Sequence, residues 1–599
     1  MGPNNINLNF IFYRFLNLAT KRKCMKIKKV EGKILPSGVC DFKEIIDNNF
    51  KYVDKTSFIA DLLNKKEKVT NILRPRRFGK TLMQSTLKYF FDIRGRAENR
   101  ELFRGLEIEK SDHFREQGSY PVISLTFKDI RENSWEKCFK KITRLIAKEY
   151  NNHRYLSDSE CISQEDRKYF CKILKGVEDE VDISLSLDYL SGFLYKHYGK
   201  KVVVLIDEYD TPIIEGELEG YYGQVTKFMS NFLSGGLKGN GSLYLGVMTG
   251  IIKLSNTGIF SELNNVDFYP ITDQTYSDKF GFTTSEVEHL LANYGIENKL
   301  EEVKDWYNGY NIGLERIYNP YSLLKYISKG ELVSGWLGTS SNELAKKKLK
   351  TLLENFQSRD TIKAMEDLYN DLDVEIEPLE DININEVKDI DGILSLLLNG
   401  GYLTFEYAGK EGEIKDSLLR VRIPNKEVKA VYKTIQKEIL DDRYKDRGFN
   451  QLLESIESGT IEEIEKNMKS QLLDASFYDF VGKNLERDYH NFVHGMIRAL
   501  GDKYEITSNR EVGQGRCDIL LFPKSKSVKN GIVLEFKAEN GDSGNTRNME
   551  KAKKLAKEAV EQIKTKEYVH EIKRRGISGV RTIGFGFVNK EVSALIENC

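Results

Sequence analysis

The sequence has no apolar run long enough to cross a bilayer as a helix. The nearest approach, "FIFYRFLNLA" close to the start, is broken by Arg14 and Asn17, and its basic "KRK" follows it, the reverse of a secretory leader. Cysteine is scarce. Its seven residues (Cys24, Cys40, Cys138, Cys161, Cys171, Cys517 and Cys599) are scattered, with no C-x-x-C spacing. That argues against a disulfide framework or a zinc knuckle and implies a reducing, cytoplasmic setting. Charge of one sign is missing too: Lys plus Arg and Asp plus Glu each total 91, so no global field draws the chain to nucleic acid or membrane. Any such attraction has to be local.

What is present is length. A chain of 599 residues exceeds what one core serves, so three or four domains are expected. Met25 opens "MKIKKVEGKILPSG" like an ordinary start, and residues 1–29 read as a disordered N-terminal extension.

The first chemical signal is "ILRPRRFGKTLM", residues 72–83. "VTNILR" before it has the composition of a strand, and "TLMQSTLKYFFDI" after it has apolar residues at helical spacing. A Gly-Lys-Thr between a strand and a helix suits phosphate: backbone N–H groups and the helix N-terminus wrap it, Lys80 reaches the outer phosphates, and the Thr81 hydroxyl holds Mg²⁺. Arg74 stands where the loop's first glycine is expected, and Pro75 removes a donor, so the loop must take a different path.

A second signal supports the first. "KKVVVLIDEYD" is a continuous apolar run, the mark of a strand buried on both faces, and it delivers Asp207 and Glu208 at its carboxyl end. Asp207 is placed to hold the Mg²⁺ shell and Glu208 to orient or deprotonate the attacking water. "PVISLTF" and "SLYLGVMTG" supply further strands, giving an open parallel sheet with its crevice at the carboxyl ends, where Thr249 either senses the outer phosphate or closes a turn. Trp306, Tyr307, Tyr310, Tyr318 and Tyr321 read better as packing aromatics than as a base pocket.

"ILPSG", "YVDKT", "RPRRFGKT", "LIDEYDTPI", "MTGIIKLSNTGIFSELNN", "WYNGYNIG", "YNPYSLL" and "RIPNKEV" together resemble the bacterial and archaeal AAA-ATPase-like family whose members carry a C-terminal PD-(D/E)XK nuclease domain. The resemblance covers most of the chain from about residue 30. It implies an ATP-binding α/β P-loop NTPase fold in which the glycine-poor loop, with Arg76, Arg77, Phe78, Gly79, Lys80 and Thr81, is a family trait. Lys253 departs from the arginine more usual in the family.

The last third carries the other half of that resemblance. "NLERDYHNFVHGMIRAL" reads as a helix, "KYEIT", "RCDILLF" and "GIVLEFK" as strands, 547–566 as a long helix, and "VRTIGFGFV" as a final strand. This αβββαβ order fits a PD-(D/E)XK restriction-endonuclease-like core. Glu535 and Lys537 are two apart on one strand and so share a face, and Asp518 enters from the neighbouring strand of a hairpin. Asp518 and Glu535 can hold Mg²⁺, and Lys537 can orient the attacking water. Glu486 on the leading helix is a candidate for the same metal, and Gln562 a candidate brace. His490 and His494 lack a third ligand nearby in sequence and read as packing or surface residues. Between Lys524 and Arg581, fifteen Lys or Arg face eight Asp or Glu, a local field that favours a phosphate partner.

The expected organisation is an AAA-like ATPase domain over 30–283, a helical lid over 284–364, a linker and winged-helix-like middle domain over 365–480, and the nuclease domain over 481–599. The expected function is a cytoplasmic ATPase coupled to a Mg²⁺-dependent nuclease acting on DNA, with a role in defence against foreign nucleic acid. The alternative is a nucleotide-switched scaffold whose nuclease-like domain binds without cutting.

Overall fold

Four short, largely buried apolar runs and a more exposed edge strand set the first sheet: β1 (Val69–Leu73), β2 (Val122–Thr126), β3 (Val202–Asp207) and β4 (Leu243–Gly250), with β5 (Val266–Tyr269) at the edge. In the computed structural model all are parallel, in the order β2-β3-β4-β1-β5. The sequence leads to the first four; β5 adds an edge beside β1. Helix α1 (Lys80–Phe91) follows β1, α2 (Trp135–Asn152) and α3 (Glu180–Tyr198) lie between β2 and β3, and α4 (Thr211–Glu219) and α5 (Tyr222–Leu237) between β3 and β4. Met83, Leu87 and Phe90 of α1 share a core with Ile72, Val203, Leu205 and Val247 of the strands, so burial fixes the helix on the sheet. Insertion of β4 between β1 and β3 is what positions the site: the ends of these three strands become neighbours.

The described residues are 34–254, 265–332, 371–379, 389–408, 418–432, 447–474, 485–497, 503–512, 515–525, 530–541 and 545–598, with single residues and the pairs 334–335 and 367–368 between. The expected N-terminal extension, residues 1–29, and residues 255–264 of the long family motif lie outside them, as do 336–346 and 348–363 of the expected lid.

Beyond the sheet come β6 (Phe282–Thr283), α6 (Thr284–Asn293), α7 (Leu300–Tyr307), β7 (Tyr310–Ile312), β8 (Glu315–Tyr318) and α8 (Pro320–Lys329). Within the expected helical lid, residues 310–318 instead form a β7–β8 hairpin, and β6 joins it in an antiparallel sheet. Glycine makes this path: Gly313 turns the hairpin at φ +55°, and a Cβ on Gly309, at φ +98°, would lie 2.1 Å from the Pro424 carbonyl oxygen. Further on, α9 (Ile390–Asn399) precedes a hairpin of β10 (Thr404–Tyr407) and β11 (Leu419–Arg422), with β9 (Val374–Ile376) paired on the far side of β11.

The chain divides into two units, 1–432 and 433–599. In the second, α10 (Arg447–Ser458), α11 (Ile461–Asp474) and α12 (Leu485–Ile497) precede β12 (Tyr504–Val512), β13 (Gly515–Pro523), β14 (Asn530–Glu539), α13 (Asn545–Thr565), α14 (Tyr568–Arg574), β15 (Gly579–Val588) and β16 (Glu591–Asn598). The strands lie in sequence order, with β14 and β15 parallel and the other pairs antiparallel. The αβββαβ order is there, extended by α14 and β16. Leu452 and Ile464 of α10 and α11 share one core with Tyr489, Phe536 and Phe585, so these helices belong with this sheet.

Helix α13 lies directly on β15 because Gly584 and Gly586 of that strand carry no side chain. A Cβ on Gly584 would meet the Ala556 oxygen at 2.7 Å, and one on Gly586 the Ala552 oxygen at 2.1 Å. Gly586→Ala is therefore expected to destabilise the second unit by about 1–3 kcal/mol, measured as a lower thermal midpoint for its transition in the full chain.

Candidate functional site

The loop after β1 is built around Arg74. Its side chain is fully buried and donates to five carbonyls: Nη1 to Leu73 at 2.8 Å, Tyr269 at 2.8 Å and Pro270 at 3.1 Å, and Nη2 to Thr275 and Tyr276, each at 3.3 Å. Burial lowers its pKa, and Asp273 opposes that shift. The arginine in the glycine position thus pins the loop to the segment after β5. Its own carbonyl faces inward, where the buried Lys80 ammonium donates to Arg74 O at 2.7 Å and to Pro75 O at 3.0 Å. Left-handed backbone still appears in the loop, moved to Arg77 (φ +71°) and Gly79 (φ +88°), the latter capping α1.

Asp207 ends β3 almost fully buried and takes three threonine hydroxyls: Thr249 at 2.6 Å, Thr81 at 2.8 Å and Thr126 at 3.3 Å. Burial raises its pKa against the pull of these hydrogen bonds. Lys80 is shifted down by burial, against the charges of Glu208, Asp210 and Asp207. Glu208 leaves the strand at φ +52°, and its carboxylate accepts from Thr211 at 3.1 Å. Two residues here escaped the sequence reading. Asp210, buried, accepts from Ile251 N at 2.7 Å and so ties the end of β4 to β3. Thr126 carries the same signal as Thr249, a hydroxyl closing an apolar strand.

A cavity of about 480 Å³ opens above these groups, lined by Arg76, Arg77, Phe78, Gly79, Lys80, Thr81 and Glu208 among others. Tyr321 lines it beneath the Arg77 guanidinium, 4.2 Å from the ring centre, whereas Tyr307, Tyr310 and Tyr318 are buried packing residues. Lys253 lies over the Phe268 ring at 5.0 Å. The glycine-capped N-terminus of α1, a buried lysine and a hydroxyl–carboxylate pair fit a nucleotide triphosphate with its Mg²⁺, held through Thr81 and Asp207.

In the second unit, the antiparallel register Ile519↔Leu534 brings Asp518 beside Glu535. Phe536 N donates to Asp518 Oδ2 at 2.9 Å, and Asp518 N to Glu535 Oε2 at 3.2 Å. Gln562 of α13 donates to the other Glu535 oxygen. Both carboxyls titrate above the usual range: burial first, then for Glu535 the Asp518 charge and for Asp518 the Glu486 charge. Lys537 Nζ, half-buried, reaches the exposed Glu486 at 2.8 Å; burial pulls its pKa down, but Glu486, Glu535 and Asp518 together hold it raised. His490 Nε2 lies 3.2 Å from Asp518 O and 3.0 Å from Ser508 Oγ, bracing the β13 backbone. Asp518, Glu535, Lys537 and Glu486 are thus gathered, but Glu486 faces the lysine. Among the described residues no cluster of three His, Cys, Asp or Glu side chains is assembled for a metal. The two-carboxylate set still fits a divalent cation, which would relieve the charge that raises both carboxyls.

Two outcomes follow. Arg74→Gly, which restores the usual loop residue, is expected to lower stability by about 2 kcal/mol or more, read from urea unfolding, since several buried carbonyls lose their donor. Because Asp518 and Glu535 bind protons more tightly folded than unfolded, stability of the second unit without divalent metal should fall as pH rises from the ordinary carboxylate range toward neutrality. Hydrogen exchange of β14 amides, corrected for intrinsic rates, checks this, and Glu535→Gln should flatten the slope.

Comparison with known proteins agrees with both halves. Residues 36–260 match the predicted AAA-ATPase family and residues 484–596 the PD-(D/E)XK nuclease superfamily. The chain is 28% identical over 408 residues to the "uncharacterized protein in vnfD 5'region" of Azotobacter chroococcum mcd 1, covering 66% of this chain and 69% of that protein. With the parallel sheet and its P-loop in one unit and the β13–β14 hairpin in the other, the chain joins an AAA-ATPase-like domain to a C-terminal domain of the PD-(D/E)XK nuclease superfamily.

Proposed function

We propose that this protein binds ATP with Mg²⁺ in its first unit and hydrolyses DNA phosphodiesters in its second, the nucleotide state controlling cleavage. The observation that carries the reading is the meeting of Asp518, Glu535 and Lys537 across the β13–β14 hairpin. Asp518 and Glu535 would hold Mg²⁺, which when bound supplies Lewis acidity toward a phosphate oxygen and a water of lowered pKa. Lys537 orients that water and offsets charge as the phosphate becomes five-coordinate. Gln562 fixes the Glu535 carboxylate. In the first unit Lys80 and the loop N–H groups bind phosphate, and Glu208 orients water toward its end. A nucleotide-controlled cutter of this design suits defence against foreign nucleic acid.

The Lys537–Glu486 ion pair favours a second reading, a nucleotide-switched protein whose nuclease-like domain binds nucleic acid without cutting. A plasmid separates the two. With Mg²⁺, purified protein is expected to convert supercoiled DNA to nicked and linear forms, and Lys537→Ala and Asp518→Asn each to slow this by about 10²-fold or more. Lys80→Ala is expected to weaken ATP binding by more than about tenfold, measured by titration calorimetry. Intact plasmid with wild-type protein, or equal cutting by the variants, would remove the nuclease assignment.

A further inference from the structure

The nucleotide cavity is unevenly charged. Eight basic side chains line it against two acidic ones, Asp129 and Glu208. Several of the cations are already engaged: Lys80 donates to loop carbonyls, Lys55 pairs with Glu286 at 2.6 Å, and Lys279 with Asp61 at 3.1 Å. Arg131 differs. Half-buried, it uses Nε on the Lys128 carbonyl at 3.3 Å, and among the described residues no carboxylate pairs with it.

Its position is rigid and set by the sheet. Phe127 N donates to Asp207 O at 2.9 Å, which chains the loop after β2 to the end of β3. Ile130 is buried, Tyr221 donates to Glu132 O at 2.8 Å, and Lys141 pairs with Glu132 at 2.5 Å, so both flanks of Arg131 are held. Arg76, from the loop after β1, lines the same cavity. Burial pulls the Arg76 pKa down; Glu208 and Asp210 oppose that shift, and the charge of Arg131 adds to it. Two guanidiniums are thus brought into one cavity beside Lys80, Thr81 and Glu208. The two like charges repel, the carboxylates of Glu208 and Asp210 oppose burial at Arg76, and a guanidinium fork matches phosphate oxygens in pairs.

We infer that Arg131 is a specificity residue for the terminal phosphate of the nucleotide, supplied by this chain itself from the loop after β2 and acting with Arg76 on a triphosphate but not a diphosphate. The inference rests on the ATP-binding reading above. It makes the nucleotide site complete within one chain, with no arginine required from a neighbouring copy.

Titration calorimetry of the full chain with a non-hydrolysable ATP analogue and with ADP, each with Mg²⁺, tests it. Arg131→Ala is expected to weaken the analogue by about tenfold or more while ADP changes by less than about threefold, and Arg131→Lys, which keeps charge without the fork, to fall between. Retained ADP binding certifies that the variant's site is folded. Equal weakening of both nucleotides, or no change in either, would overturn the inference and leave ATP binding by the wild type standing. A wild-type chain that binds no analogue would overturn both.

Discussion

A carboxylate buried in a sheet must be met by donors or by a cation, and both sites of this chain follow from that requirement. Asp207 is buried by β3 and met by three threonine hydroxyls from β2, α1 and β4. Glu535 is buried by β14 and met by a backbone N–H and by Gln562. Neutral donors do not cancel the charge. The pKa of each carboxyl stays raised, and in each case an ammonium, Lys80 or Lys537, stands near enough to oppose the shift. On the proposed reading, a divalent cation would relieve the cost of burying these carboxylates.

The supporting parts serve this geometry. Placing β4 between β1 and β3 puts Thr249 against Asp207, and Asp210 then locks the strand ends through Ile251. In the second unit, Gly584 and Gly586 let α13 sit close enough to the sheet for Gln562 to reach Glu535. A methyl group at either glycine would act on the site through the helix.

What the sequence made legible is whatever depends on neighbours in the chain. Continuous apolar runs ending in acids identify β3, and the two-residue spacing of Glu535 and Lys537 gives their shared face because pleating is local. The role of Arg74 was hidden: four of its five carbonyls belong to residues 269–276, nearly 200 positions away, and no spacing rule reports them. Arg131 was hidden for the same reason, since its meaning comes from strand order, whereas Thr126 carried the signal of Thr249, a hydroxyl closing an apolar strand, and was missed. Glu486 was expected beside the metal and instead reaches Lys537, a rotamer-level choice on an exposed side chain that sequence does not encode. The β7–β8 hairpin and the extra strands β5 and β16 are short or edge elements, in which periodicity has few residues to act on.

The central claim is that each unit contains one carboxylate site for a divalent cation, the first completed by nucleotide. Titration of Mn²⁺ into the full chain, followed by electron paramagnetic resonance, tests it most directly. The account predicts one bound ion per chain without nucleotide, lost in Glu535→Gln, and a second that appears only with ATP and is lost in Asp207→Asn. Binding that neither substitution alters, or a stoichiometry indifferent to ATP, would contradict it.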